Sequence, residues 1–142
     1  MEEFDIAIIG GGPAGIMAAI AASADLNVVL LEKNSSLGSK LLITGGGRCN
    51  ITNAKPIKKL LNSFHDKNFL KHSFYTFTNE MLLDLFRNRG LDFIVEDNNR
   101  VFPETEKSQD ILAILKYYLK DITIKYNYEV SDIKKEDNFI IN

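Results

Sequence analysis

The spacing of apolar and polar positions changes several times along the chain, and each change marks an element. Residues Phe4 to Ile9 (Phe-Asp-Ile-Ala-Ile-Ile) are a short β-branched run ending at a glycine, the pattern of a buried parallel strand. From Pro13 to Ala24 alanine dominates, with a proline where the first turn tolerates one, so a helix follows whose small side chains allow close approach to a sheet. Asn27 to Glu32 is a second apolar run. Strand, helix and strand within about 30 residues make one right-handed βαβ unit.

Lys33 to Asn53 keeps no period and is dense in glycine, serine, threonine and asparagine, which predicts a long ordered loop with at most a turn of helix near Ser39 to Ile43. Helical spacing returns in Lys58 to Phe64, Phe69 to Phe77 and Asn79 to Arg89, with Thr78 as N-cap and Gly90 as the stop. Asp92 to Val95 and Arg100 to Phe102 flank the turn-forming Asp97-Asn98-Asn99, predicting a hairpin. Ser108 is placed to cap a core helix over Gln109 to Lys120, whose stripe is Ile111, Leu112, Ile114, Leu115, Tyr118 and Leu119. Strands are expected at Ile122 to Tyr126, Glu129 to Ile133 and Phe139 to Ile141. The expected class is α/β with a helical insertion and a small antiparallel β element. Residues 1–53 group as the βαβ unit and its loop, 54–107 as the insertion, and 108–142 as the return to the first domain.

Composition adds limits. A chain of 142 residues, 45% hydrophobic and 25% charged, has the make-up of one globular domain with one core. Its net charge of -2 lacks the basic footprint of a general nucleic-acid binder, so no nucleic-acid partner is expected. Charge is nonetheless unevenly placed. No acidic residue lies between Glu32 and Asp66, while Lys33, Lys40, Arg48, Lys55, Lys58 and Lys59 do, which suits an anion. The start is acidic and no apolar run reaches spanning length, so neither a signal peptide nor a membrane segment is expected. The lone Cys49 suits a reducing, cytoplasmic compartment.

Gly10, Gly12 and Gly15 form G-x-G-x-x-G between the first strand and the helix. Gly10 permits the tight turn, Gly12 lets a pyrophosphate approach the backbone, and Gly15 lets helix and strand pack closely, while the helix N-terminus offers N–H groups to the phosphates. Glu32 ends the second strand some 20 residues on, where a carboxylate accepts hydrogen bonds from a ribose and repels a 2′-phosphate, making NADP the least favoured dinucleotide here. The competing reading is a glycine turn in another α/β protein, with Glu32 an ordinary strand-end charge.

A second run, Thr44-Gly45-Gly46-Gly47-Arg48-Cys49-Asn50-Ile51-Thr52-Asn53, orders three consecutive glycines, which a folded chain keeps where backbone approaches a ligand or takes positive φ. A flexible linker would not carry so many donors. Cys49 beside Arg48 invites a redox reading, yet without a second cysteine the blander role of a small buried thiol is favoured. His65 and His72 have neither a triad partner nor metal-ligand spacing, and no metal is expected. Arg100 to Ser108 reads as a strand leading through Pro103 into a capped helix, with Arg100 and Lys107 available to line a site.

Gly10 to Gly15, Glu32-Lys33-Asn34, Gly38-Ser39-Lys40, Thr44 to Asn53 and Arg100 to Ser108, in this order and spacing, resemble the N-terminal part of the BaiN-like or HI0933-like flavoproteins of bacteria and archaea, also labelled aminoacetone oxidase family FAD-binding enzymes. The G-G-G-R-C-N-x-T-N block is the specific part. The resemblance implies a Rossmann-like FAD-binding domain, C-terminally incomplete here, since family members are longer and a late segment finishes the flavin site. It implies that Gly10, Gly12, Pro13, Ala14 and Gly15 bind the pyrophosphate, Glu32 the adenosine ribose and Lys33 the adjoining edge. Lys40, Gly45, Gly46, Gly47, Arg48, Cys49 and Asn50 would approach the phosphates and isoalloxazine, with Arg48 or the glycine amides favouring a reduced, anionic flavin. Val130, on the strand after the long helix, would contact adenine through its backbone. Catalytic residues are not assigned.

The implied activity is oxidoreduction, with hydride exchanged between flavin and a small organic substrate, an amine or an unsaturated ring compound, and NAD(P)H as a candidate electron donor. Two alternatives stand beside it. One is a truncated or split nucleotide-binding module without independent turnover, which self-associates or needs a second chain. The other is an NAD-dependent dehydrogenase, which leaves Gly45 to Asn53 unexplained.

Overall fold

The computed structural model describes residues 2–142. The chain divides into two compact units, Met1–Leu41 with Leu115–Asn142, and Leu42–Ile114. In the first unit, strand β1 (Ile6–Ile9), helix α1 (Pro13–Ala22) and strand β2 (Val28–Leu31) form the expected βαβ unit. The central β2 pairs in parallel with β1 on one side, Ile6 opposite Val28, and on the other with β6 (Thr123–Lys125), Leu30 opposite Ile124. All four residues of β2 are buried, as the apolar run requires of a strand covered on both faces. By contrast β1 is half-exposed and Ile9 is 51% exposed, because β1 forms one edge of the sheet and is not the buried strand its composition suggests. Ile16 and Ala19 of α1 are fully buried.

The second unit is built on an antiparallel sheet ordered β3 (Thr52–Asn53), β5 (Arg100–Pro103), β4 (Phe93–Glu96). The expected hairpin is β4–β5, turning through a 3-10 segment at Asp97–Asn99 where Asn98 and Asn99 take positive φ. Strand β3 pairs Thr52 with Val101. Helices α3 (Ile57–Leu61), α4 (Lys67–Thr76) and α5 (Asn79–Arg87) occupy the three helical stretches. Thr78 caps α5 as expected, accepting from Met81 N–H at 3.2 Å. The core here is Leu83, Phe86, Leu91, Val101, Phe102 and Ile111, with the rings of Phe86 and Phe93 edge to face.

Helix α2 (Ser39–Ile43) occupies the turn expected in the long loop, and α6 (Ser108–Tyr118) the core-helix position. Two expectations fail in the C-terminal half. Ser108 is the first residue of α6 and not a cap: its buried hydroxyl donates to the Leu42 carbonyl at 2.9 Å. Glu129 to Ile133 form no strand. The β-structure starts later, at β7 (Ile133–Lys135), which pairs with β8 (Phe139–Ile141), so Val130 lies in the irregular segment before it. The Ser131 and Asp132 N–H groups donate to the Asn142 carbonyl, which starts the hairpin beyond Val130. Among the described residues no helix is long and apolar enough to cross a membrane.

Candidate functional site

The glycine motif of the first unit meets two physical demands of the turn, a positive φ at Gly10 and close packing at Gly15, and leaves open space at Gly12. Gly10 takes φ +101° where the chain leaves β1, and its N–H donates to the Leu31 carbonyl at 2.8 Å. A methyl group on Gly15 would run into the carbonyl oxygen of Gly10, with Ile8 Cγ2 at 3.4 Å, so α1 sits against the strand only because position 15 is glycine. Around Gly12 the opposite holds, since a Cβ there would meet nothing within 4 Å. Gly12 is the extended N-cap of α1 and no side chain caps the helix. Pro13 has no N–H, which leaves Ala14 and Gly15 as the first amide donors of an uncapped, partially positive helix end. Open space in front of a helix N-terminus is the kind of surface on which an anion can be held by backbone donors.

Glu32 locks this turn from below. Its side chain is 6% exposed, Oε2 accepts from Gly11 N–H at 2.7 Å, and Oε1 accepts from the Asn34 backbone N–H at 2.8 Å and side-chain amide at 2.6 Å. Burial alone would raise its pKa, but the hydrogen bonds from Asn34 and Gly11 and the charge of Lys33 outweigh it, so the carboxyl is held below its usual range. Three of about four acceptor positions are taken, leaving capacity for one more donor such as a ribose hydroxyl. The backbone of Glu32 is fixed as well, donating to the Lys125 carbonyl and accepting from Tyr128 N–H, both at 2.9 Å. Gly11, Asn34 and Gly38 are the members the motif reading does not single out. Gly38, at φ +73°, donates to the Gly11 carbonyl at 2.8 Å, and a Cβ on Gly11 would strike Leu37 and the Glu32 carboxylate. Lys33 and Lys40 are exposed, and Val130 is half-buried.

The second glycine run lies in the other unit. Gly45, Gly46 and Gly47 take φ of 57°, 69° and 88°, and Cys49 follows at 63°, so the triple glycine is explained by left-handed backbone. Asn50 fastens the loop to β5 by accepting from Val101 N–H at 3.3 Å. Arg48 is held on all sides: Nη1 lies 2.6 Å from Glu96 Oε1 and 3.0 Å from Glu106 Oε1, and the guanidinium stacks 4.1 Å from the centre of the Phe102 ring. Hydrogen bonds that Arg48 donates to the carboxylates of Glu96 and Glu106 raise its pKa, and Arg48 in turn lowers that of Glu96. Two carboxylates thus engage the Arg48 guanidinium, and the Arg48 and Cys49 amides are spent inside the loop on the carbonyls of Gly45 (3.4 Å) and Thr44 (3.0 Å).

Cys49 is buried, and burial pushes its thiol pKa up against a weaker hydrogen bond with Thr44. The lowered pKa that Arg48 suggests is therefore not what the fold provides. We expect the native chain to resist iodoacetamide at neutral pH and to react fully once denatured; rapid labelling of the native chain, followed by mass spectrometry, would contradict this. Among the described residues no cluster of metal-ligating side chains occurs.

Residues 4–142 match the family model of the HI0933-like protein Rossmann domain. The chain is 33% identical over 123 residues to the 3-dehydro-bile acid delta(4,6)-reductase of Clostridium scindens, covering 84% of this chain and 30% of that protein. It is 30% identical over 141 residues to the ribosomal RNA dihydrouridine synthase of Escherichia coli, covering 96% and 34%. It thus spans about a third of the length of these curated relatives. Among solved structures, the open conformation of a flavocytochrome c3 fumarate reductase superposes with a TM-score of 0.65 at 20% identity, covering 94% of this chain and 28% of that one. Thermovibrio ammonificans THI4 superposes at 0.55 and 15% identity, covering 98% and 45%. At these identities the two structures show a shared fold.

Proposed function

This chain belongs to the HI0933-like Rossmann-domain family, a family of FAD-binding flavoproteins, and on that premise we propose that it holds the ADP half of FAD in an oxidoreductase that adds hydride to a ring carbon–carbon double bond conjugated to a carbonyl. The observation that carries the cofactor reading is the cradle itself, open at Gly12, closed at Gly15 and locked by Glu32. In this reading Gly10, Gly12, Ala14 and Gly15 receive the pyrophosphate. Glu32 accepts a ribose hydroxyl and its charge excludes a 2′-phosphate. Lys33 and Lys40 supply positive charge beside it.

When bound, the flavin supplies hydride transfer. The choice of an unsaturated ring over an amine is supported by the names of both relatives, one a delta(4,6)-reductase and the other a dihydrouridine synthase. Here the chain's part is orientation and charge near the cofactor. NAD(P)H remains the proposed electron donor, and residues 54–107 the proposed insertion.

Titration of the purified chain with FAD, followed at the flavin's visible absorption bands, is expected to show saturable uptake, with NADP failing to compete. After photoreduction under anaerobic conditions, a cyclic enone should reoxidise the bound flavin. A folded chain that takes up no FAD, or a bound flavin that is reduced by a primary amine and ignores the enone, would overturn the corresponding half of the proposal.

A further inference from the structure

We propose that Asn34 is a positioning residue for the nucleotide: by filling one oxygen of the Glu32 carboxylate with two donors of its own, it leaves the other oxygen, Oε2, as the acceptor for a single ribose hydroxyl. The ribose rests on the reading above, in which the chain holds the ADP half of FAD. The choice of oxygen comes from the hydrogen bonds.

A carboxylate has about four acceptor positions, two on each oxygen. On Glu32 they are filled unevenly. Oε1 accepts from the Asn34 backbone N–H at 2.8 Å and from its Nδ2 at 2.6 Å, so one residue uses both positions. Oε2 accepts from Gly11 N–H at 2.7 Å, which leaves its second position open. A Cβ on Gly11 would lie 2.9 Å from Oε2, so the open acceptor borders a backbone that carries no side chain. A carboxylate that receives both hydroxyls of a ribose must offer an oxygen to each, and Oε1 has nothing left to offer. One open acceptor matches one hydroxyl.

The backbone on either side of Asn34 is fixed without its side chain. The Asn34 carbonyl accepts from Asn127 N–H at 3.1 Å, and the Glu32 carbonyl from Tyr128 N–H at 2.9 Å. Asn127 takes φ +53°, so a left-handed residue shortly after β6 turns two consecutive N–H groups onto the exit of β2. Asn34 itself is exposed. Its amide can therefore be changed while the turn that presents Glu32 stays in place, and what is lost is the lock on the carboxylate.

The test is isothermal titration calorimetry of the 142-residue chain with ADP, 2′-deoxy-ADP and 3′-deoxy-ADP, repeated on Asn34→Ala and on Asn34→Asp, which keeps the shape of the side chain but not the donor. With the parent we expect one deoxy analogue to bind roughly tenfold weaker than ADP and the other within about twofold of it. In both variants Oε1 is released from the side-chain amide, and the two analogues should converge to within about threefold of each other. A residue that only held the turn together would weaken all three nucleotides alike and leave their ratios unchanged. That result, or equal losses for the two analogues with the parent, overturns the proposal. The parent comparison needs no substitution, so it decides the matter even where a variant fails to fold. Failure of the ADP reading looks different, because the folded parent then takes up neither FAD nor ADP, and the proposal falls with it.

Discussion

Gly15→Ala is expected to lower stability by about 1–3 kcal/mol and to abolish FAD uptake, because the added methyl meets the carbonyl oxygen of Gly10. A backbone atom cannot swing aside as a side chain would. Relief requires α1 to lift from β1, and that movement also displaces Gly12 and the free amides of Ala14 and Gly15. Gly12→Ala is the matched control. Its methyl enters open space, so the folding cost should stay within about 1 kcal/mol, the loss expected when alanine replaces glycine at an N-cap. FAD affinity should nevertheless fall at least tenfold, since the open space is what the pyrophosphate would occupy. Urea unfolding and FAD titration on both variants separate the two effects. Equal stability of Gly15→Ala and parent, or undiminished FAD binding by Gly12→Ala, would refute this account of the motif.

Glu32→Ala should cost about 2–3 kcal/mol, because it strips a charged acceptor from the N–H groups of Gly11 and Asn34 in a buried turn. The same residue governs an acid limb of stability. Its folded carboxyl titrates below the usual value of 4.5, so the unfolded chain binds the proton more readily and the stabilisation is complete above that value. As pH falls through the lower folded value, it disappears. In urea unfolding across this range, the parent should lose stability with acidification, and Glu32→Ala should lose less. Parallel curves would show that Glu32 is not the group responsible. Glu32→Gln is expected to recover only part of the loss, since one amide oxygen cannot accept from both sides and its NH2 faces donors.

The first βαβ unit was readable because its signals are local. Alanine density marks α1, the unbroken Val28–Leu31 run marks β2, and the tight turn at Gly10 and the close packing at Gly15 have steric reasons visible in the geometry. What was not readable depends on partners distant in sequence. Thr52 and Asn53 carry no strand period, and β3 exists because β5 offers it an edge. Ser108 has the chemistry of a cap, but burial turns its hydroxyl toward Leu42. Val130 reads as part of a strand, yet pairing begins only at Ile133, where Ile141 is its partner. In the site, Arg48 beside Cys49 suggests an activated thiolate. Neither the desolvation of Cys49 nor the capture of Arg48 by Glu96 and Glu106, 48 and 58 residues on, is written locally.

The pairing of β2 with β6 sets the order in which the chain can mature. Val29 must wait for Thr123, so the parallel sheet of β1 and β2 lacks β6 until the chain has been made through residue 125. Leu42–Ile114 is contiguous, and its widest strand pairing, Thr52 with Val101, spans fewer residues than that of Val29 with Thr123. Loop closure over so long a separation is slow relative to local hairpin and helix formation. During synthesis the Val-Val-Leu-Leu run of β2 therefore stays one-sided while the later unit is already able to fold, and this interval is when a nascent chain most needs a chaperone.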